Sequence, residues 1–157
     1  MNLVNSNRII FVLSLAGAGV STYLTLAHLN FVDIGCSAVH GCEEVARHYT
    51  AKGFGIPGLQ WIPTAAFGVI MYAALAALSM TRASNPYSIA SIKAARKQLI
   101  LSTLGVLGTI YLTYLEAFVI HAWCQWCLAS AFIISSIFLT CLTERVIGRP
   151  PIEGASV

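Results

Sequence analysis

The sequence predicts an all-α membrane protein, a four-helix transmembrane bundle with a partly helical outer loop between the first two long helices. Three observations predict it. Four apolar segments of about 20 residues recur along the chain, the length at which a helix rising roughly 1.5 Å per residue crosses a hydrocarbon core of about 30 Å. Only 10% of the 157 residues are charged and 57% are hydrophobic, with a mean hydropathy of +0.77, whereas a soluble domain carries roughly 25% charged residues. The third observation is that seven of the nine Lys and Arg residues sort to one side of the implied membrane.

The elements follow in order. RIIFVLSLAGAGVSTYLTLAHL gives a first helix over about 9–29, and IPTAAFGVIMYAALAALSM a second over 62–80, with Pro63 tolerated in its first turn. LILSTLGVLGTIYLTYLEAFVI gives a third over 99–120, and the run that opens at Cys127 gives a fourth over 127–147. In lipid each segment must satisfy its own backbone polar groups, which makes these segments helices. They leave no polar face for a soluble bundle. The first run is long and lacks a small-residue cleavage site before a polar mature domain, so it is expected to remain as a span. One domain over 1–157 is expected.

Charge placement orients the bundle. Arg8 precedes the first helix; Arg82, Lys93, Arg96 and Lys97 fill the connection between the second and third; Arg145 and Arg149 follow the fourth. The other side carries Arg47 and Lys52 among Asp33, Glu43 and Glu44. The positive-inside rule then puts both termini in the cytoplasm and the first and third connections outside. Trp61, Trp123 and Trp126 fall at the outer boundary, as an interfacial aromatic belt would. The net charge of +3, without a dense basic run, excludes a nucleic-acid partner. In the outer connection, CEEVARHYTAK has the acids early and bases late that favour a short helix, and GFGIPGLQWIP turns the chain back to the membrane.

The chemistry is expected from cysteines. Cys124 and Cys127 are separated by two residues where the fourth helix begins; amide N–H groups and the positive helix end stabilise a thiolate there. Cys36 and Cys42 bracket CSAVHGC, with Gly35 and Gly41 directly before them, and read as a flexible loop able to swing its thiols between an outer partner and the inner pair. Two static disulfides, in a non-enzymatic tetraspan assembly or transport subunit, are the alternative, and a zinc tetrathiolate is a third reading. A thioredoxin fold is excluded because no βαβ pattern surrounds the motif. Haem attachment is excluded because Leu128, not histidine, follows Cys127. Cys141 lies about 21 Å deeper along the helix and stands apart from the exchange as a small hydrophobe. If the pairs exchange, electrons must leave the inner one. No metal ligands or phosphate loop are evident, so membrane quinone is the available acceptor, and a bundle opening into lipid can hold its flat ring.

GAGVSTYLTLAHL, GCSAVHGCEEVARHYTAKGFGIP, IPTAAFGVIMYAAL and YLTYLEAFVIHAWCQWCLASA, in that order, span nearly all of the chain. Together they resemble the vitamin K epoxide reductase family, specifically its bacterial homologues. The resemblance implies a quinone-dependent thiol–disulfide oxidoreductase of the bacterial plasma (inner) membrane. Its periplasm-facing cysteines would reoxidise a DsbA-like or thioredoxin-like protein and pass electrons to ubiquinone or menaquinone, supporting disulfide bond formation. Some family members carry a fused thioredoxin-like domain; this chain ends about ten residues after its last helix, so a separate partner is expected.

Carried over by position, the resemblance makes Cys36 the partner-facing thiol, Cys42 the thiol that exchanges with Cys124, and Cys127 the thiol at the quinone. Six residues after Cys42, where the family often has a quinone-bonding hydroxyl, stands His48. Imidazole can donate a hydrogen bond or proton there; a solvated loop histidine is the alternative. Thr64 is expected either at a quinone oxygen or bonded to backbone. Glu116, ionisable within a membrane segment, is a functional candidate by default. His28 and His121 are expected at the interface, and Tyr111 and Tyr114 in packing.

Overall fold

The computed structural model describes residues 3–36, 41–84 and 88–147. Arg149 and the centre of the CSAVHGC loop lie outside them. Among the described residues there are five α-helices: α1 (Leu3–His28), α2 (Cys42–Arg47), α3 (Thr64–Ser84), α4 (Ile89–Leu115) and α5 (Gln125–Ile147). Tyr49–Ala51 and Gly53–Gly55 form 3-10 turns, and Glu116–Ile120 extends α4 as a π turn. All but α2 are long and apolar enough to cross a membrane.

The boundaries differ from the expected ones where the apolar run and the helix are different things. α4 begins at Ile89, well before Leu99, because Ala, Lys, Arg and Gln are strong helix formers even where they face water. Ser88 caps it, its hydroxyl accepting from the Ser91 N–H at 3.1 Å.

α1 packs between α3 and α5, and α4 closes the ring against the same two helices. The centre holds Ile10, Tyr72, Leu75, Ile134, Ile137 and Cys141. A Cβ at Gly17 would collide with the Tyr72 ring, so glycine there lets α1 and α3 approach. The Tyr72 hydroxyl donates to the Ser130 carbonyl at 3.0 Å, satisfying a polar atom inside the apolar layer. Outward, Val12, Ile70, Leu104, Ile110 and Phe132 are all exposed, an apolar perimeter suited to lipid. Cys141 is buried against other helices, away from the remaining cysteines.

At the end of the bundle that holds Asn7, a polar cluster ties four helices. Arg82 donates to Gln98 Oε1 at 2.7 Å and to Glu144 Oε2 at 2.9 Å. Gln98 donates to Ser79 Oγ at 2.8 Å, and Asn7 to the Ser79 carbonyl at 2.9 Å. Arg82 is therefore a buried, paired cation rather than a free loop charge.

At the opposite end the loop is tied to the residues that lead into α3. Gly53 N–H donates to the Ile62 carbonyl at 2.8 Å, and Glu43 and Arg47 pair along exposed α2.

Candidate active site

The site is built where α4 ends and α5 begins. The helix widens into the π turn, a device often found at functional sites, and His121 ends it in the left-handed region at φ 54° and ψ 31°. The reversal brings the Cys124 N–H to Glu116 Oε2 at 3.2 Å. Cys124 then occupies the N-cap position of α5, its carbonyl accepting from Leu128 N–H at 3.0 Å. Cys124 and Glu116 are each 2% exposed. Glu116 also hydrogen-bonds the Cys127 thiol.

The Cys127 thiol donates to the Cys124 sulfur and holds the Cys124 thiol below the ordinary cysteine range. The Cys127 and Trp126 N–H groups at the helix end act in the same direction; burial and the nearby Glu116 carboxylate oppose them. The end effect expected from the CxxC position thus falls on Cys124.

Cys36 and Cys42 are joined by a disulfide, with Cα atoms 6.2 Å apart, while Cys124 and Cys127 are free. Cys42 is 2% exposed and Cys36 is only half-buried, so the bond presents one sulfur outward and one inward. Beneath lies a cavity of about 450 Å³ that Cys42, Cys124, Cys127 and Glu116 all line. Phe67 and Leu101 are among the mostly apolar residues along its depth. That volume lies within the range of about 300–1,000 Å³ for small-molecule sites.

The loop is anchored rather than loose at its ends. Gly35 N–H donates to the Tyr23 hydroxyl at 2.9 Å, and the Gly35 carbonyl accepts from Trp126 Nε1 at 2.9 Å and Gln125 Nε2 at 3.2 Å. The Tyr23 and Trp126 rings meet at 4.9 Å. At the other end, a Cβ on Gly41 would come within 2.8 Å of the Trp123 nitrogen. The glycine before each loop cysteine therefore docks on the CxxC segment. Sequence reasoning assigned these glycines to flexibility and Trp126 to the interfacial belt, and gave no role to Tyr23 or Gln125.

The structure places the two cofactor candidates differently. His48 does not line the cavity: α2 stops at Arg47, and the following 3-10 turn sends Thr50 inward and leaves His48 beside Tyr49. Thr50, 3% exposed, lines the cavity, and His48 Nδ1 reaches its hydroxyl at 2.8 Å. Nothing in the spacing distinguished Thr50. Thr64 does line the cavity, but its hydroxyl donates to the Thr50 carbonyl at 2.8 Å and accepts from Phe54 N–H at 3.0 Å. Its proton is spent on the loop backbone.

His28, expected at the interface, lines the cavity as well. Its Nδ1 donates to the Leu24 carbonyl at 2.9 Å, which leaves Nε2 buried and without a partner among the described residues. His121, Tyr111 and Tyr114 are exposed.

The arrangement can pass a disulfide from one cysteine pair to the other and present the inner pair to a ligand held in an apolar slot. The vitamin K epoxide reductase family model matches residues 8–142, which takes in both cysteine pairs and all four long apolar helices apart from their outermost residues. No individual curated protein matches the chain.

Proposed function

Because the chain belongs to the vitamin K epoxide reductase family, we propose that it oxidises a soluble thioredoxin-like dithiol protein and delivers the electrons to membrane quinone. The coarser statement stands without the proposal: this is a multi-pass membrane protein with the thiol–disulfide oxidoreductase chemistry of its family. One observation carries the finer reading. A single apolar cavity is lined by Cys42 of the loop disulfide and by both cysteines of the CxxC pair.

Exposure orders the relay. A partner thiolate attacks Cys36, the more accessible sulfur, and Cys42 leaves as a thiolate facing inward. Cys42 attacks Cys124 of an oxidised Cys124–Cys127 pair, and Cys127 leaves as the thiolate at the cavity. The partner's second thiol displaces Cys36, which re-forms the Cys36–Cys42 bond and frees Cys124. The partner has lost two electrons and two protons; the inner pair has gained them.

The cavity fits a quinone. It is mostly apolar, its volume is about 450 Å³, and it is lined by His28, with an orphaned imidazole nitrogen, and by the buried Glu116. A bound quinone supplies the acceptor for two electrons and two protons. The protein's part is to hold the ring against Cys127 and exclude water. In this reading both cysteine pairs face the periplasm of a bacterial inner membrane and both termini face the cytoplasm.

Purified protein, a reduced thioredoxin-fold partner and a short-chain ubiquinone or menaquinone should together give catalytic loss of quinone absorbance. Cys36→Ser and Cys127→Ser should each bring it to background. Cysteine labelling that never changes with reductant or quinone would instead leave two structural disulfides in a non-enzymatic tetraspan protein. Membrane-impermeant maleimide reaching reduced Cys36 only from the cytoplasmic face would overturn the orientation.

A further inference from the structure

Among the described residues Glu116 pairs with no cation. The ion pairs among those residues are Arg47–Glu43 and Arg82–Glu144, and neither includes Glu116. Instead its carboxylate, 2% exposed, meets the Cys124 N–H at 3.2 Å and the Cys127 thiol. A carboxylate kept from water without a counter-charge is costly, and in a membrane segment it marks function by default. If its task were only to accept the Cys124 N–H, a neutral glutamine oxygen would serve without that cost. What a carboxylate adds is the capacity to take up a proton and give it back.

We propose that Glu116 is the proton acceptor of the CxxC dithiol, taking the proton of Cys127 as its sulfur is oxidised and returning it toward the cavity. This deepens the quinone reading and rests on it. In the balanced reaction the Cys124 and Cys127 thiols lose two electrons and two protons and join as a disulfide, and a quinone becomes a quinol. The Cys127 S–H bond breaks, a Glu116 O–H bond forms, and that proton is released to the cavity. The other proton is that of the Cys124 thiol.

The titratable groups around Glu116 are few. From the α5 side it faces Cys124 and Cys127, and from α2 Cys42, which is held in its disulfide. The charged residues of α2, Glu43, Glu44 and Arg47, are exposed. His28 of α1 lines the same cavity, and His121, beyond the π turn, is exposed.

The test uses the full chain, reduced, in detergent, with Glu116→Gln and Glu116→Asp. Stopped-flow mixing with a short-chain ubiquinone should show Glu116→Gln slower by about 10²-fold or more near pH 7, the lower range for a lost general base. That deficit should shrink as pH rises and the thiol ionises unaided, while Glu116→Asp keeps part of the rate. A deficit equal at every pH would mean positioning alone and would overturn the proposal, as would a glutamine variant with the wild-type rate.

A second measurement needs no quinone. The negative Glu116 disfavours the Cys124 thiolate, so the pH profile of Cys124 alkylation by iodoacetamide should move to lower pH in Glu116→Gln and stay near wild type in Glu116→Asp. An unmoved glutamine profile would show that Glu116 carries no charge to accept a proton with, and would overturn the proposal even if turnover fell. Should the wild type reduce no quinone while this shift appears, the quinone reading fails and the carboxylate's coupling to the thiols stands.

Discussion

Glu144 and Glu116 are buried carboxylates at the two ends of one bundle, and the bundle handles them in opposite ways. Glu144 faces Arg82 at 2.9 Å, and Arg82 is further held by Gln98, so charge meets charge inside a closed cluster. Glu116 faces thiols and a backbone N–H beside a cavity. The Glu144 arrangement is neutralised and fastens α3, α4 and α5 together. The Glu116 arrangement leaves a titratable group next to two cysteines. Burial and residue type are nearly the same in both places; the partners decide whether the group locks the structure or does chemistry.

The largest effect expected follows from breaking the lock. Arg82→Met leaves Glu144 buried without its cation, a change that costs roughly 3–5 kcal/mol. Arg82→Met with Glu144→Leu should restore most of that, because a buried ion pair replaced by apolar side chains is often near neutral. A residual loss of about 1–3 kcal/mol is expected from the Gln98 oxygen left without its donor. Reversible unfolding in mixed micelles measures both. Thiol–disulfide exchange per folded molecule should be unchanged, since none of these residues lines the cavity. A single variant as stable as wild type would remove the distinction between the two ends.

The next prediction concerns the cysteine end of the bundle and its pH dependence. The Cys127 donor favours the Cys124 thiolate, so Cys124 in the reduced protein should alkylate at lower pH than an ordinary cysteine. Cys127→Ala removes that donor, and the alkylation profile should move to higher pH. Cys127→Ser, which keeps a donor hydroxyl, should move it less. A profile that falls to lower pH in the alanine variant would mean that Cys127 opposes the Cys124 thiolate rather than supporting it.

How much of this was legible depended on whether the cause was local. Helices that cross lipid need only length and apolarity, so all four long runs could be read directly. The start of α4 at Ile89 could not be read from hydropathy, since Lys93, Arg96 and Lys97 are helical without being apolar. Both cysteine pairs were legible by spacing. His48 was chosen by counting from Cys42, but the count assumes a regular chain, and the break from α2 into a 3-10 turn brings Thr50 to the wall instead. The π turn has no sequence signature of its own, so Glu116 could be suspected from its charge but not joined to Cys124. Least legible was the anchoring of the loop, because Gly35 and Gln125 are 90 residues apart and no local pattern records their contact.

That anchoring gives the smallest prediction. Where the Arg82–Glu144 end is fixed by charge, the loop end at Gly35 is held by neutral hydrogen bonds on an exposed surface. Trp126→Phe keeps a ring against Tyr23 but deletes the indole donor to the Gly35 carbonyl. Such a bond is worth about 0.5–1.5 kcal/mol, and Gln125 still donates to the same oxygen at 3.2 Å. Global unfolding should therefore barely move, and the loss should appear in the loop alone. Amide exchange at Gly35 should speed up by a few fold to about tenfold, the factor that about 1.4 kcal/mol represents. Transfer from the Cys42 thiol to Cys124 should slow by no more than the same factor, because Gly41 still seats the other end of the loop against Trp123. A much larger slowing would mean that Trp126 acts on the CxxC pair itself, and that the loop and inner pair are a single rigid unit rather than two parts held in register.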